Sequence, residues 1–277
     1  MTRTCVAVLG LGEAGTAIAG DLVAAGAVVK GYDPITSGPA GVVVCTSEAE
    51  AVCGADIVLS VNSAEDAMTA FRNGRPGLTA DAVWADLNTS GAALKRELAD
   101  AASGGTRSVG FADVALMSPV PGRGVRTPML VSGPGAVRYA ELLTPFGAQV
   151  EVLEGPPGEA ATRKLLRSVF FKGLAAAVVE ALAAARVVGL EAWLRQNIAD
   201  ELPRSGPGTV DRLEQGSIEH AVRRSHEIAA ATELLRELGV PPRIAAASRD
   251  ALVELAERSG TTAKLPRTTS WLLCTLL

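Results

Sequence analysis

Residues 4–11 form a nearly unbroken apolar run, and a helical spacing of small apolar residues follows directly behind it. A run without alternating polar positions predicts a strand covered on both faces. Residues 14–25 are alanine-rich and close on Gly26, a residue suited to the backbone turn that ends a helix. Shorter apolar runs recur at 27–32, 41–45, 56–61, 82–87, 108–116 and 128–132, with a last at 148–153. Helical or polar turn segments separate most of them. Strands alternating with helices predict an α/β fold, a Rossmann-type doubly wound parallel sheet.

The pattern changes after the turn Gly155-Pro156-Pro157-Gly158. A helical spacing opens at Glu159 and holds to about Val188, longer than the usual globular helix. Residues 191–201, 216–238 and 242–257 also read as helices, separated by Gly and Pro. The expected organisation is a dinucleotide-binding domain over 1–156 and an all-α domain over 157–277.

Composition narrows the function. Of 277 residues, 48% are hydrophobic and only 4% aromatic, so alanine, valine and leucine must build the core. The net charge of −4 comes with no polybasic run, which argues against a nucleic-acid partner. Cys5, Cys45, Cys53 and Cys274 form no CxxC pair, and His220 and His226 stand six apart rather than at a helical metal spacing, so no metal site is expected. No uninterrupted apolar run reaches the roughly 18–20 residues that span a bilayer. The first residues run straight into a strand pattern, so no signal peptide is expected. The expectation is a cytoplasmic protein without a membrane partner, acting on a small molecule.

The candidate chemistry starts at Gly10-Leu11-Gly12-Glu13-Ala14-Gly15. GxGxxG alone is weak, but here it follows a strand, opens a helix and has Asp33 after the second strand. Gly10 allows a tight turn, Gly12 lets backbone approach a pyrophosphate, and Gly15 lets helix and strand pack. Glu13 and Ala14 stand at the helix N-terminus that favours an anion. Asp33 is placed to accept from adenosine ribose hydroxyls, and residues 34–44 hold no Arg or Lys to meet a 2′-phosphate. The cofactor expected is NAD, with NADP the alternative; Asn62, just past the strand at 56–61, joins the cofactor set. Asp33-Pro34 is also an ordinary turn pair.

Three further segments carry a resemblance. Asp86-Leu87-Asn88-Thr89-Ser90 ends a strand, Asp113-Val114-Ala115-Leu116-Met117-Ser118-Pro119 ends another, and Gly158 through Lys172 opens the long helix. With the glycine turn, they make the chain resemble the β-hydroxyacid dehydrogenase family, which includes 3-hydroxyisobutyrate and 6-phosphogluconate dehydrogenases, in a bacterial branch with its own C-terminal helical domain. The resemblance implies that Thr89 and Ser90 lie beside the nicotinamide; a helix N-cap is the other reading of those hydroxyls. It implies that Ser118 helps hold the substrate, although Met117 takes the family's serine position and Ser118 its first glycine.

The resemblance places the family's catalytic lysine on Lys164. Ser168 stands one turn on in place of an asparagine, and Lys172 continues the same face. A lysine can give a proton to a carbonyl oxygen during reduction, or take one from an alcohol when burial lowers its pKa. The alternative is one of several solvated helix cations beside Arg163 and Arg167. His226-Glu227 stands where the family has a Lys-Asp pair opening a helix, which would bring His226 to the cofactor. The implied activity is NAD(P)-dependent hydride transfer between nicotinamide and a secondary alcohol or carbonyl, hydroxy acids included. An imine reductase on the same scaffold and a non-catalytic dinucleotide-binding protein are the rivals. A homodimer is implied by the family alone.

Overall fold

The structure, a computed structural model, describes residues 4–104 and 108–258. The chain divides into two compact units, Met1–Ser168 and Val169–Leu277. The division falls inside the long helix, whereas the sequence expectation set the boundary at 156/157.

The first unit alternates β1 (Cys5–Leu9), α1 (Glu13–Ala24), β2 (Val28–Tyr32), β3 (Val43–Val44), α2 (Glu48–Val52), β4 (Ile57–Ser60), α3 (Ala67–Gly74), β5 (Val83–Asp86), α4 (Ala92–Ser103) and β6 (Gly110–Leu116). Then come β7 (Met129–Ser132), α5 (Ala136–Leu143) and β8 (Val150–Val152). The eight strands form one sheet in the order β3-β2-β1-β4-β5-β6-β7-β8. Every apolar run expected to be a strand is one. The sheet is not wholly parallel, because β7 runs antiparallel to β6. Residues 117–128 link those two strands without a crossover helix, and a parallel return needs one.

Side-chain alternation divides the core between the two faces of the sheet. Val6, Val8, Ile57, Leu59 and Ala112 face one apolar cluster that takes in Ile18 and Leu22 of α1. Ala7, Leu9, Val58, Trp84 and Phe111 face another, with Phe71 of α3 and Leu98 of α4. The central strands are buried on both sides, which is why they read as continuous apolar runs. Cys5, Cys45 and Cys53 are free thiols; Cys274 lies outside the described residues.

The helix α6 (Glu159–Val187) begins in the first unit. The second unit carries the rest of it, then α7 (Glu191–Glu201), α8 (Pro207–Glu219), α9 (Ala221–Glu237) and α10 (Arg243–Arg258). The pattern at 216–238 therefore belongs to two helices. The backbone breaks at His220 (φ −111°, ψ 24°), and α8 starts earlier, at Pro207. Proline is favoured at a first helical position, and Thr209 accepts from the Gly206 N–H at 2.9 Å to close the turn.

Within the second unit, Glu180 of α6 accepts from the N–H groups of Ile244 and Ala245 at 2.8 and 2.9 Å, capping α10 from a distant point in the chain. By length and composition, α6 is the one helix among the described residues able to cross a bilayer. The expectation that nothing reached that length came from counting uninterrupted apolar residues; average hydropathy tolerates one or two charges within the span.

Candidate active site

The glycine turn joins the end of β1 to the first turn of α1. Gly10 has φ 95°, and a Cβ there would stand 2.7 Å from the Val61 carbonyl carbon, so the turn passes the end of β4 only as glycine. A Cβ on Gly15 would run into the Gly10 carbonyl oxygen. At Gly12 the opposite holds: a Cβ would meet no protein atom within 4 Å, and no side chain caps α1. Open space beside an uncapped helix N-terminus fits an anionic pyrophosphate.

A cavity of about 370 Å³ opens at this point, lined among others by Gly10, Gly12, Asp33 and Asn62. It sits past the carboxyl ends of β1, β2 and β4, where the strand order reverses and doubly wound sheets bind ligands. Glu13 is exposed in the first turn of α1, and Ala14 is half-buried beside it. Glu48 and Asp66 also line the cavity, and the lining holds no Arg or Lys. Sequence reasoning missed both acids, which carry no motif and reach the cavity only through the fold.

Asp33 makes the turn that was one of its two expected readings, and a second contact that the sequence did not announce. Its Oδ1 accepts from the N–H groups of Ile35 (2.8 Å) and Thr36 (3.0 Å), the turn reading. Its Oδ2 accepts from Leu11 N–H at 2.8 Å, latching the glycine turn to the end of β2. A carboxylate offers about four lone-pair sites, so one remains for a ribose hydroxyl. Partial burial works to raise this carboxyl, but the three backbone donors outweigh it and hold the group below its ordinary value.

Behind the cavity lies a charge cluster that the sequence did not announce. Lys95 of α4 is fully buried. Its ammonium donates to Asp86 Oδ2 at 2.6 Å and to the Asp86 carbonyl at 2.8 Å, and stands 3.2 Å from Asp113 Oδ1. That last contact is an ion pair without hydrogen-bond alignment. Burial pushes the Asp86 carboxyl up, against the pull of Lys95 and Asn88. Asp113 Oδ2 accepts from the N–H groups of Gly158 (3.0 Å) and Ala161 (3.1 Å), so the positive end of α6 faces a buried carboxylate. Ser132 donates to the same Oδ2 at 3.2 Å and accepts from Ala160 N–H at 3.1 Å.

The remaining candidates fall in several places. Thr89 is exposed on the loop after β5, while Ser90 is buried. Neither caps α4, whose N-cap is Gly91 with no side-chain bond; the cap reading is set aside because the helix starts one residue later. The buried hydroxyl oxygens of Ser90 and Ser118 have no hydrogen-bond partner within the protein, which leaves capacity for a ligand. Lys164 is half-buried on α6, within the first unit. Ser168 donates to the Lys164 carbonyl at 2.9 Å, so its proton is engaged by the helix and only its acceptor capacity is open. Lys172 and His226 are exposed and belong to the second unit. His226-Glu227 does not open a helix, since α9 begins at Ala221, and Glu227 pairs with Arg223.

Residues 5–116 match the family described as the NAD binding domain of 6-phosphogluconate dehydrogenase. The N-terminal part of this chain is a Rossmann-like NAD(P)-binding domain. Residues 185–255 match a helical-region family described as a domain of unknown function, DUF1932. A curated relative, an uncharacterized 28.5 kDa protein from Methanothermus fervidus, is 35% identical over 103 residues, 36% of this chain and 39% of that one. The chain thus aligns with well under half the length of that relative. Among solved structures, a conserved hypothetical protein from Sinorhizobium meliloti 1021 is 29% identical with a TM-score of 0.58, covering 91% of this chain and 88% of that one. A reductive aminase from Aspergillus terreus, solved with an NADPH-type cofactor, is 19% identical with a TM-score of 0.79 over 94% and 95%. A conserved protein of unknown function, described as similar in structure to 3-hydroxyacid dehydrogenases, is 24% identical with a TM-score of 0.56 over 94% and 100%. At these last two identities the likeness is one of fold.

Proposed function

We propose that this protein is an NAD-dependent oxidoreductase acting on the secondary alcohol or carbonyl of a small molecule, with Lys164 as its general acid and base. The observation that carries this reading is the place of Lys164. It stands three residues beyond the Ala161 amide held by Asp113, on the segment of α6 that belongs to the same compact unit as the dinucleotide cavity. Nicotinamide supplies the hydride acceptor or donor when bound. The chain supplies the proton: the Lys164 ammonium donates to a carbonyl oxygen as negative charge grows there, and its neutral amine accepts from the alcohol in the reverse direction. The unpartnered hydroxyls of Ser90 and Ser118 are suited to orienting polar substrate groups.

The cavity supports NAD over NADP. Asp33, Glu48 and Asp66 line it and no cation does, so a 2′-phosphate would be repelled without compensation. A reductase acting on C=N bonds is the second reading, favoured by the fold likeness to the Aspergillus terreus enzyme. A panel of ketones, hydroxy acids and cyclic imines with NADH separates the two. Lys164→Ala is expected to lose turnover by about 10²–10⁴-fold with NADH affinity unchanged. A wild type that binds NADH but turns over nothing in the panel would overturn the enzymatic reading. A homodimer belongs to the same proposal, its face supplied by the exposed apolar residues of α6.

A further inference from the structure

Lys95 bears no family motif, yet it is the only cation among the charged and polar residues buried in the described structure. Such a group is costly to desolvate and persists only when its contacts are well made. Those contacts lead in two directions. Toward the cavity, Asp86 Oδ1 accepts from Asn88 Nδ2 at 2.6 Å, and the same amide donates to Asn62 Oδ1 at 2.8 Å; Ser60 also donates to that oxygen, at 3.0 Å. Asn62 lines the dinucleotide cavity. Toward the helix, Asp113 and Ser132 take the N–H groups of Gly158, Ala160 and Ala161. Gly158 sits so close to α4 that a Cβ would stand 2.8 Å from the Ala92 Cβ.

The charges explain why one cation must stand at the centre. Asp86 and Asp113 pair in register on β5 and β6, and two buried carboxylates side by side repel. One ammonium between them, the Asn88 amide on one and the N-terminus of α6 on the other, balance the cluster. The chain of contacts therefore runs unbroken from the cavity rim to the turn of α6 before Lys164.

We propose that Lys95 is a positioning residue: its ammonium locks the dinucleotide-cavity rim and the helix turn that carries Lys164 into one frame. This rests on the dinucleotide reading of the cavity. Lys95→Met keeps length and removes charge, while Lys95→Arg restores charge. The readouts are NADH binding by calorimetry and amide hydrogen exchange at residues 158–161 on the full chain.

Lys95→Met is expected to weaken NADH about tenfold and to speed exchange at 158–161, with Lys95→Arg recovering part of both. A Lys95→Met protein that folds and matches the wild type in both readouts overturns the proposal. So does one that is less stable to heat but unchanged in both. If Lys95→Met does not fold, Asn88→Ala and Ser132→Ala each cut one arm and leave the ammonium in place. The first must weaken NADH without altering exchange at 158–161, and the second must speed that exchange; failure of either overturns the proposal. A wild type that does not bind NADH defeats the cofactor reading instead, while the exchange comparison between Lys95→Met and Lys95→Arg still decides the role of Lys95 at α6.

Discussion

At the scale of single residues, Asp33 shows how a motif position holds together the turn it belongs to. Three of its lone pairs are committed to Leu11, Ile35 and Thr36, so Asp33→Asn disturbs the glycine turn as well as the proposed ribose contact. An amide has one acceptor oxygen where the carboxylate has two, so one anchor is lost. We expect NADH to bind about tenfold more weakly, while NADPH is affected less because the repulsion is also gone. Titration of both cofactors checks this. The pH dependence has a definite sign. The folded carboxyl lies below its ordinary value of 3.8, so its stabilisation is present above that pH and is lost as pH falls through the lowered value. The gap in melting temperature between wild type and Asp33→Asn should be constant near neutrality and close on acidification below pH 3.8; a gap that persists there contradicts the account. The meeting of Gly10, Gly12 and Asp33 at one cavity was legible in advance, since glycines and an acid after the second strand announce themselves by spacing. Lys95, Glu48 and Asp66 did not, because what makes them matter is tertiary: burial between two strands, or a place on a cavity wall.

Elements were more legible than their junctions. The central strands could be read because burial on both faces writes itself as apolar runs, while the largely exposed edge strands β3 and β8 were read from their short valine-bearing runs alone. The antiparallel β7 could not, since direction depends on how residues 117–128 return. The α8/α9 junction was missed because nothing at His220 marks a break; α8 itself was hidden by Gly206-Pro207-Gly208, which reads as a loop until the proline is seen at the first helical position. The Glu180 cap is a similar case. The donors Ile244 and Ala245 are 64 and 65 residues from the carboxylate in sequence. Glu180→Ala should cost about 1 kcal/mol, and amide exchange should accelerate first at the N-terminal turn of α10. Uniform acceleration across the whole chain would mean that Glu180 acts through global stability rather than as a cap.

At the scale of the whole molecule, the open question is what covers α6. Leu166, Val169 and Phe170 are 67%, 76% and 57% exposed and share one helix face. Val179 is 67% exposed farther along. An apolar surface of this kind is a docking site rather than a solvated face. A bilayer is a poor occupant, because Lys172 and Glu180 fall within the apolar stretch of the helix, where ionisable groups are costly, and Glu180 caps α10. A second copy of the chain can cover the apolar stripe. The proposal is therefore a homodimer with a mass about twice 28.3 kDa, measured by light scattering without detergent. Val169→Glu combined with Phe170→Glu should convert it to a folded monomer, because two buried, unpaired carboxylates outweigh what a standard interface gains. A wild type that runs as a monomer, or that stays soluble only in detergent, would assign the stripe to another occupant. A dimer unaffected by the double change would place the interface elsewhere on the molecule.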